Sequence, residues 1–263
     1  MIEVESPSSN MASAPYYQHR GISLYHGDCR EILPEVQSGS LDFALTDPPY
    51  LVSYQGRWDH KRQEILGDSD PTWVGPAFAE LWRVLKQNAL CLSFYGWPNA
   101  EIFLHAWKQT GFRPVSHFAL LKTRMGLGYF SRSQHETAYL LAKNHPPKPA
   151  PAPSDVLVSA GVGPPLHPNE KPLGAISRLI SDYTAVDDCI VDPFAGSGTT
   201  LVAARNLGRR AIGIEIEEAC CETTAMRLSQ QHFEFQKSPP PPEQLSVFDP
   251  RRDQQPTTRP PKA

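Results

Sequence analysis

The sequence predicts a single α/β domain built on a doubly wound, Rossmann-like sheet, and three observations carry that expectation. Apolar runs of strand length at residues 41–45, 89–95, 189–191 and 211–216 alternate with stretches of helical periodicity. Two of these runs empty into loops dense in functional groups, Thr46-Asp47-Pro48-Pro49-Tyr50 and, far downstream, Asp192-Pro193-Phe194-Ala195-Gly196-Ser197-Gly198-Thr199-Thr200. Open α/β sheets bind their ligands at such strand ends. Finally, 263 residues with 40% hydrophobic content suffice for one large core, and no second domain is required.

Taken in order, residues 22–26 alternate as a strand ending at Gly27-Asp28, and residues 30–36 predict a short helix. The strand at 41–45 delivers Asp47. A polar excursion at 53–71 is longer than an ordinary connection in a compact domain, which marks it as functional or mobile. Ala79, Leu81, Trp82 and Leu85 have helical spacing within 72–86, and 89–95 reads as a buried strand. Residues 98–109 predict a helix with Pro98 in its first turn, and 115–121 and 137–142 predict an antiparallel edge joined by a Gly- and Arg-containing loop at 125–135. The Pro-, Ala- and Ser-rich stretch 144–165 reads as an extended linker. Helices are expected at 171–183, 199–207 and 218–232, with strands at 189–191 and 211–216 between them. Four prolines at 239–242 open a tail of disordered composition. The expected organisation is therefore a disordered segment at 1–20, a domain at 21–236 and a disordered Pro-rich tail at 237–263.

No apolar stretch is long enough to span a bilayer, and the polar first residues lack a signal-peptide pattern, so a cytoplasmic protein is expected. Five cysteines form no CxxC pair and no Cys/His metal spacing, which predicts neither a disulfide nor a metal site. A net charge of −3 argues against a uniformly basic nucleic-acid binder. Residues 113–148 nevertheless hold six basic residues against one acid, either a basic face or a solvated surface.

In the downstream island, Gly196 and Gly198 allow the backbone to approach a ligand, with amides at the start of the next helix directed toward it. No lysine follows in P-loop spacing, the third dinucleotide-fingerprint glycine is absent, and Ser197 lacks the flanks of a nucleophile elbow. The following strand ends in Glu215, the position that grips ribose hydroxyls in doubly wound folds. Asp192 suits a ligand amino group. A methionine-like end, a ribose and an adenine together describe S-adenosylmethionine.

In the upstream island, two successive prolines fix φ and remove two amide donors. The remaining edge is rich in acceptors: the Asp47 carboxylate and the Pro48 carbonyl can both take hydrogen bonds from one exocyclic NH2. Tyr50 offers a flat face to a base. Alone, the segment also fits a plain turn; the pairing with the second island makes it a candidate site.

Together these residues resemble the DNA amino-methyltransferases, which methylate adenine N6 or cytosine N4 with S-adenosylmethionine. Asp47-Pro48-Pro49-Tyr50 matches the catalytic motif of that family, and Phe194-Ala195-Gly196-Ser197-Gly198 matches its FxGxG cofactor motif. The catalytic motif comes first, as in the β class, so the resemblance implies a circularly permuted S-adenosylmethionine-dependent methyltransferase fold. It also implies a cofactor site of Asp28, Cys29, Asp47, Lys171, Asp192, Phe194, Ala195, Gly196, Ser197, Gly198, Thr199 and Glu215. His167-Pro168-Asn169-Glu170-Lys171-Pro172 and Phe130-Ser131-Arg132-Ser133-Gln134-His135-Glu136 resemble further segments of the class. No large recognition domain is evident between Lys143 and His167, which leaves target choice to the loops at 53–70 and 125–135.

The implied reaction is transfer of a methyl group to the N6 amine of adenine in DNA, because Asp in the first motif position is more typical of N6-adenine members and Ser of N4-cytosine members. Alternatives are N4-cytosine methylation, methylation of RNA or a protein amide, and a fold retained for binding alone. Arg57, Lys61, Arg62, Arg124, Arg132, Gln134 and His135 are candidate DNA contacts, with solvated loop charge as the plain alternative. In the tail, Gln244-Leu245-Ser246-Val247-Phe248 resembles the peptide by which bacterial replication proteins dock on the sliding clamp, with Gln244, Leu245 and Phe248 as the contact residues.

Overall fold

A computed structural model describes residues 11–52, 66–122, 125–126, 130–158 and 171–230. By internal contacts the chain divides into Met1–Ser229 and Gln230–Ala263; the expected domain end at 236 lies outside the described residues. The first unit contains β1 (Tyr17–His19), β2 (Ile22–His26), α1 (Cys29–Ile32), β3 (Leu41–Thr46), α2 (Val74–Val84), β4 (Leu85–Phe94), α3 (Ala100–Gln109), β5 (Arg113–Leu121), β6 (His135–Ala142), β7 (Val156–Val158), α4 (Leu173–Tyr183), β8 (Cys189–Asp192), α5 (Thr199–Asn206), β9 (Arg210–Glu215) and α6 (Glu218–Ser229).

The strands form one sheet in the order β1-β2-β9-β8-β3-β4-β6-β5-β7. Its centre, β2 through β4, is parallel, while β1 and β6 run antiparallel to their inner neighbours. Because side chains alternate along a strand, these central apolar runs feed two cores at once. Ala44, Cys91, Val191 and Ile212 face a cluster formed with α1, α2 and α3. Phe43, Leu45, Leu92, Ile190 and Ala211 face the opposite cluster, filled by α4, α5 and α6. In α4 the buried residues Ala175, Ile176, Leu179 and Ile180 make one apolar stripe.

The site follows from this winding. Strands β3 and β8 are neighbours, Ala44 facing Val191, yet α2 after β3 and α5 after β8 pack on opposite faces. Their loops part in opposite directions and leave a crevice at the carboxyl edge, the switch point of a doubly wound sheet. Both sequence islands border it.

Several expectations need correction. The segment taken as disordered at 1–20 contains β1, which pairs with β2 through a turn at Arg20 and Gly21, both at positive φ. The stretch 144–165 contains β7, which adds Val156–Val158 to the edge beside β5. The helix expected at 30–36 is α-helical only through Ile32 and tightens into a 3-10 turn at Leu33–Glu35, where Pro34 lacks an amide to donate. The helix expected to reach residue 86 ends at Val84, because Leu85 turns extended and pairs with Leu41 at the start of β4. The last helix ends at Ser229 rather than 232. Among the described residues, no helix is long and apolar enough to cross a membrane.

Candidate active site

At the carboxyl end of β3, Asp47 stands at the centre of a bonded cluster. Its Oδ1 accepts from the Tyr50 hydroxyl at 2.8 Å and its Oδ2 from Lys171 Nζ at 2.5 Å. Lys171, just before α4, also contacts Glu136 Oε2 at 2.8 Å and Tyr50 Oη at 3.1 Å, with its ammonium 4.9 Å from the centre of the Phe94 ring. Glu136, the second residue of β6, is held from its other side by Lys122 Nζ at 2.5 Å. Two acids and two lysines drawn from three strand ends and one helix start thus form one bonded cluster.

Electrostatics sharpen the picture. Burial works against the Lys171 ammonium, yet Asp47, Tyr50 and Glu136 around it hold its pKa well above the ordinary lysine value. Burial would raise the Glu136 carboxyl, but Lys171 and Lys122 outweigh it and bring the group down to about 2. Burial also pushes the Asp47 carboxyl up, with Lys171 opposing. Asp47 keeps 28% of its side chain exposed and has an ammonium 2.5 Å away as counter-ion.

Across the crevice, the glycine loop links β8 to α5. Gly196 and Gly198 take φ values of +51° and +80°, and Gly198 serves as the N-cap of α5. The loop is pinned from behind: Glu215 Oε2 accepts from Gly196 N at 2.7 Å, Thr224 Oγ1 donates to Gly196 O at 2.9 Å, and Arg227 donates to Ser197 O at 2.5 Å. A Cβ on Gly196 would meet no atom within 4 Å, so the loop faces open space, whereas a Cβ on Gly198 would lie 2.4 Å from Thr224 Cγ2. Asp192 is buried, with Oδ1 accepting from Phe194 N at 3.1 Å, and burial pushes its carboxyl up to about 7 against hydrogen bonds from Thr200 and Phe194. Ala195 is tied to β9 through Ile214 O at 2.9 Å. Phe194 stacks edge-on to Trp73 at 5.0 Å.

Asp28 and Cys29 open α1 at the same edge, joined to β9 by the bond from Gly27 N to Glu215 O at 2.8 Å. Asp28 is engaged by Arg30 through Nε and Nη2, the shortest contact being 2.6 Å. Cys29 is buried, and that burial pushes its thiol up to about 12. Asp47, Asp192 and Glu215 thus stand at the carboxyl ends of the neighbouring parallel strands β3, β8 and β9, and the Asp28 carboxylate is already paired with Arg30. The sequence reading missed three participants: Glu136, Thr224 and Arg227. Glu136 lay inside a segment noted for its resemblance; Thr224 and Arg227, three apart on α6, carried no signal.

Of the predicted DNA contacts, Arg132 and Gln134 are exposed in the connection between β5 and β6, and His135 is exposed as the first residue of β6. Arg57, Lys61, Arg62 and Arg124 lie outside the described residues, as do the tail residues Gln244, Leu245 and Phe248.

A sequence profile described as DNA methylase, for the N6/N4 methyltransferases, matches residues 153–226. YubD of Escherichia coli (strain K12), named as a presumed methylase, is 41% identical over 203 residues, covering 77% of this chain and 88% of that protein. The chain belongs to the N6/N4 DNA methylase family. Among solved structures, the PvuII DNA methyltransferase, titled cytosine-N4-specific, is similar with a TM-score of 0.68 and 20% identity, covering 84% of this chain and 91% of the other. The M1.HpyAVI–SAM complex has a TM-score of 0.62 and 22% identity, covering 80% of this chain and all (100%) of that one. These likenesses establish the methyltransferase fold. The chemistry of this family member is read from its own crevice.

Proposed function

We propose that the protein methylates the exocyclic N6 amine of adenine in DNA, with S-adenosylmethionine as donor. Membership of the N6/N4 DNA methylase family supports the reaction class, the nucleic acid and the donor. The choice of adenine rests on Asp47 as the first residue of the Asp-Pro-Pro-Tyr segment. One observation supports the site: the segment Asp47-Pro48 and the glycine loop follow the adjacent parallel strands β3 and β8 at the same edge of the sheet.

The crevice suits such a donor by its own chemistry. Gly196 leaves space open before the loop, the buried Asp192 carboxylate fits an amino group, and Glu215, while holding Gly196 N and Glu217 N, keeps lone pairs for ribose hydroxyls. In this reading Phe194, Ala195, Ser197, Gly198 and Thr199 line the donor, Asp28 and Cys29 flank its adenine, and Lys171 bounds the space from the start of α4. When bound, S-adenosylmethionine supplies a methyl group whose bond to sulfur breaks, its electron pair staying on sulfur, as the amine lone pair takes the carbon.

The chain does the rest. A target base inside a duplex is out of reach, so it is flipped into the crevice at a cost of about a few kcal/mol. Stacking on Tyr50 offsets part of that cost. The Asp47 carboxylate and the Pro48 carbonyl accept the two amine hydrogens, which turns the nitrogen lone pair away from the ring and toward the donor. After transfer, Asp47 is placed to take the surplus proton. Arg132, Gln134 and His135 are proposed to meet DNA at the rim. The late arrival in the chain of β8 and β9, which sit mid-sheet, supports a permuted strand order, and the expected compartment is the cytoplasm.

The test is to incubate the purified protein with unmethylated DNA and labelled S-adenosylmethionine, then to analyse the nucleosides by mass. N6-methyladenine is expected. N4-methylcytosine would replace adenine as the target, and no methylated base on diverse DNA would refute the reading.

A further inference from the structure

Lys171 poses a problem for amine methylation that Glu136 resolves. The amine nitrogen gains positive charge as its new bond forms, and the carboxylate of Asp47 can stabilise that charge only if it is not already consumed. Yet Lys171 Nζ lies 2.5 Å from Asp47 Oδ2, and its side chain is 10% exposed, so water screens it little. An ammonium in that position opposes the developing cation.

We propose that Glu136 is a positioning residue that neutralises Lys171 and so leaves the charge of Asp47 available to the target amine. This rests on the methyl-transfer reading above. Its Oε2 is 2.8 Å from Lys171 Nζ, close enough to be the lysine's counter-ion when Asp47 turns to the amine. The β5–β6 register fixes it there, Glu136 facing Leu120 and His135 facing Leu121, so the anion is supplied by the sheet rather than by a mobile loop. Lys122 holds the opposite oxygen at 2.5 Å but is 44% exposed, so solvent covers much of its charge and the carboxylate serves Lys171. Tyr50 spans the pair, its hydroxyl 2.8 Å from Asp47 and 3.4 Å from Glu136.

The experiment compares wild type, Glu136→Gln, Glu136→Asp and the double variant Glu136→Gln/Lys171→Met in steady-state methylation at saturating S-adenosylmethionine. DNA binding by the cofactor-free proteins is measured in parallel by fluorescence anisotropy, and folding by thermal melting. Glu136→Gln should lower kcat at least about tenfold, with the KM for DNA and the anisotropy affinity within about threefold of wild type. Glu136→Asp, which keeps the charge, should retain more activity than Glu136→Gln. The double variant, free of the unbalanced cation, should exceed Glu136→Gln in kcat. An active wild type matched by Glu136→Gln, or a double variant no better than Glu136→Gln, overturns the inference alone. A wild type that transfers no methyl group overturns the parent reading and this one with it.

Discussion

Gly196 and Gly198 stand two residues apart in the same loop and should fail for different reasons when given a methyl group. Both hold positive φ, +51° and +80°, so alanine at either position carries about 1–2 kcal/mol of left-handed strain. At Gly196 the added Cβ meets nothing within 4 Å, and the strain is the whole stability cost. At Gly198 it lies 2.4 Å from Thr224 Cγ2 and 2.7 Å from Thr224 Oγ1, which forces α6 to shift and loosens the 2.9 Å bond from Thr224 to Gly196 O. Overpacking of that kind adds about 1–3 kcal/mol. Gly198→Ala should therefore be the less stable variant by about 1–3 kcal/mol in urea unfolding, and should melt several degrees lower at about 2–4 °C per kcal/mol. Gly196→Ala should keep most of its stability but bind S-adenosylmethionine weakly in calorimetric titration, because its methyl group enters the open space of the crevice. Equal stability losses, or unchanged cofactor affinity in Gly196→Ala, would refute the argument.

Other variants probe separate parts of the structure. Asp192 has a folded-state value of about 7 against 3.8 for an unperturbed carboxyl, so the native state binds more protons between those values and its stability falls as pH rises through about 4 to 7. Asp192→Asn removes that penalty. It should unfold at higher urea than wild type at pH 8, with the gap closing below about pH 4; a gap independent of pH would sink the assignment. Lys143 Nζ donates to Trp82 O at 2.5 Å and Leu85 O at 2.6 Å at the end of α2. Lys143→Ala should cost about 2–4 kcal/mol of stability, and a melting temperature equal to that of wild type would contradict it. In the tail, Leu245→Ala/Phe248→Ala should abolish pull-down by the bacterial sliding clamp, and equal capture of both forms would end that proposal.

How much of this was legible depends on where each signal resides. The strands at β3, β8 and β9 are buried on both faces and therefore read as near-continuous apolar runs, while β2 was legible from its alternation; all four were found within one residue at either end. The loops after β3 and β8 announced themselves through residue types that only special backbone chemistry needs, paired prolines in one and paired glycines in the other. β1 and β7 are three residues each, too short for any period, and β7 buries only Leu157. The Lys86-Gln87-Asn88 stretch of β4 is exposed and polar, so it looked like the end of a helix. Glu136 becomes part of the site only because β6 returns beside β4 and brings it to Lys171, a contact between residues that no local pattern connects. Likewise, Thr224 and Arg227 look like ordinary polar helix positions until α6 packs under the glycine loop.

The central claim is that the island after β3 performs transfer while the island after β8 holds the donor. It is tested most directly by a single turnover from prebound, labelled S-adenosylmethionine to DNA in wild type and Asp47→Ala. With every enzyme molecule loaded, the transfer rate should fall about a hundredfold or more, well beyond any loss of cofactor affinity. Transfer at the wild-type rate in Asp47→Ala would contradict the account.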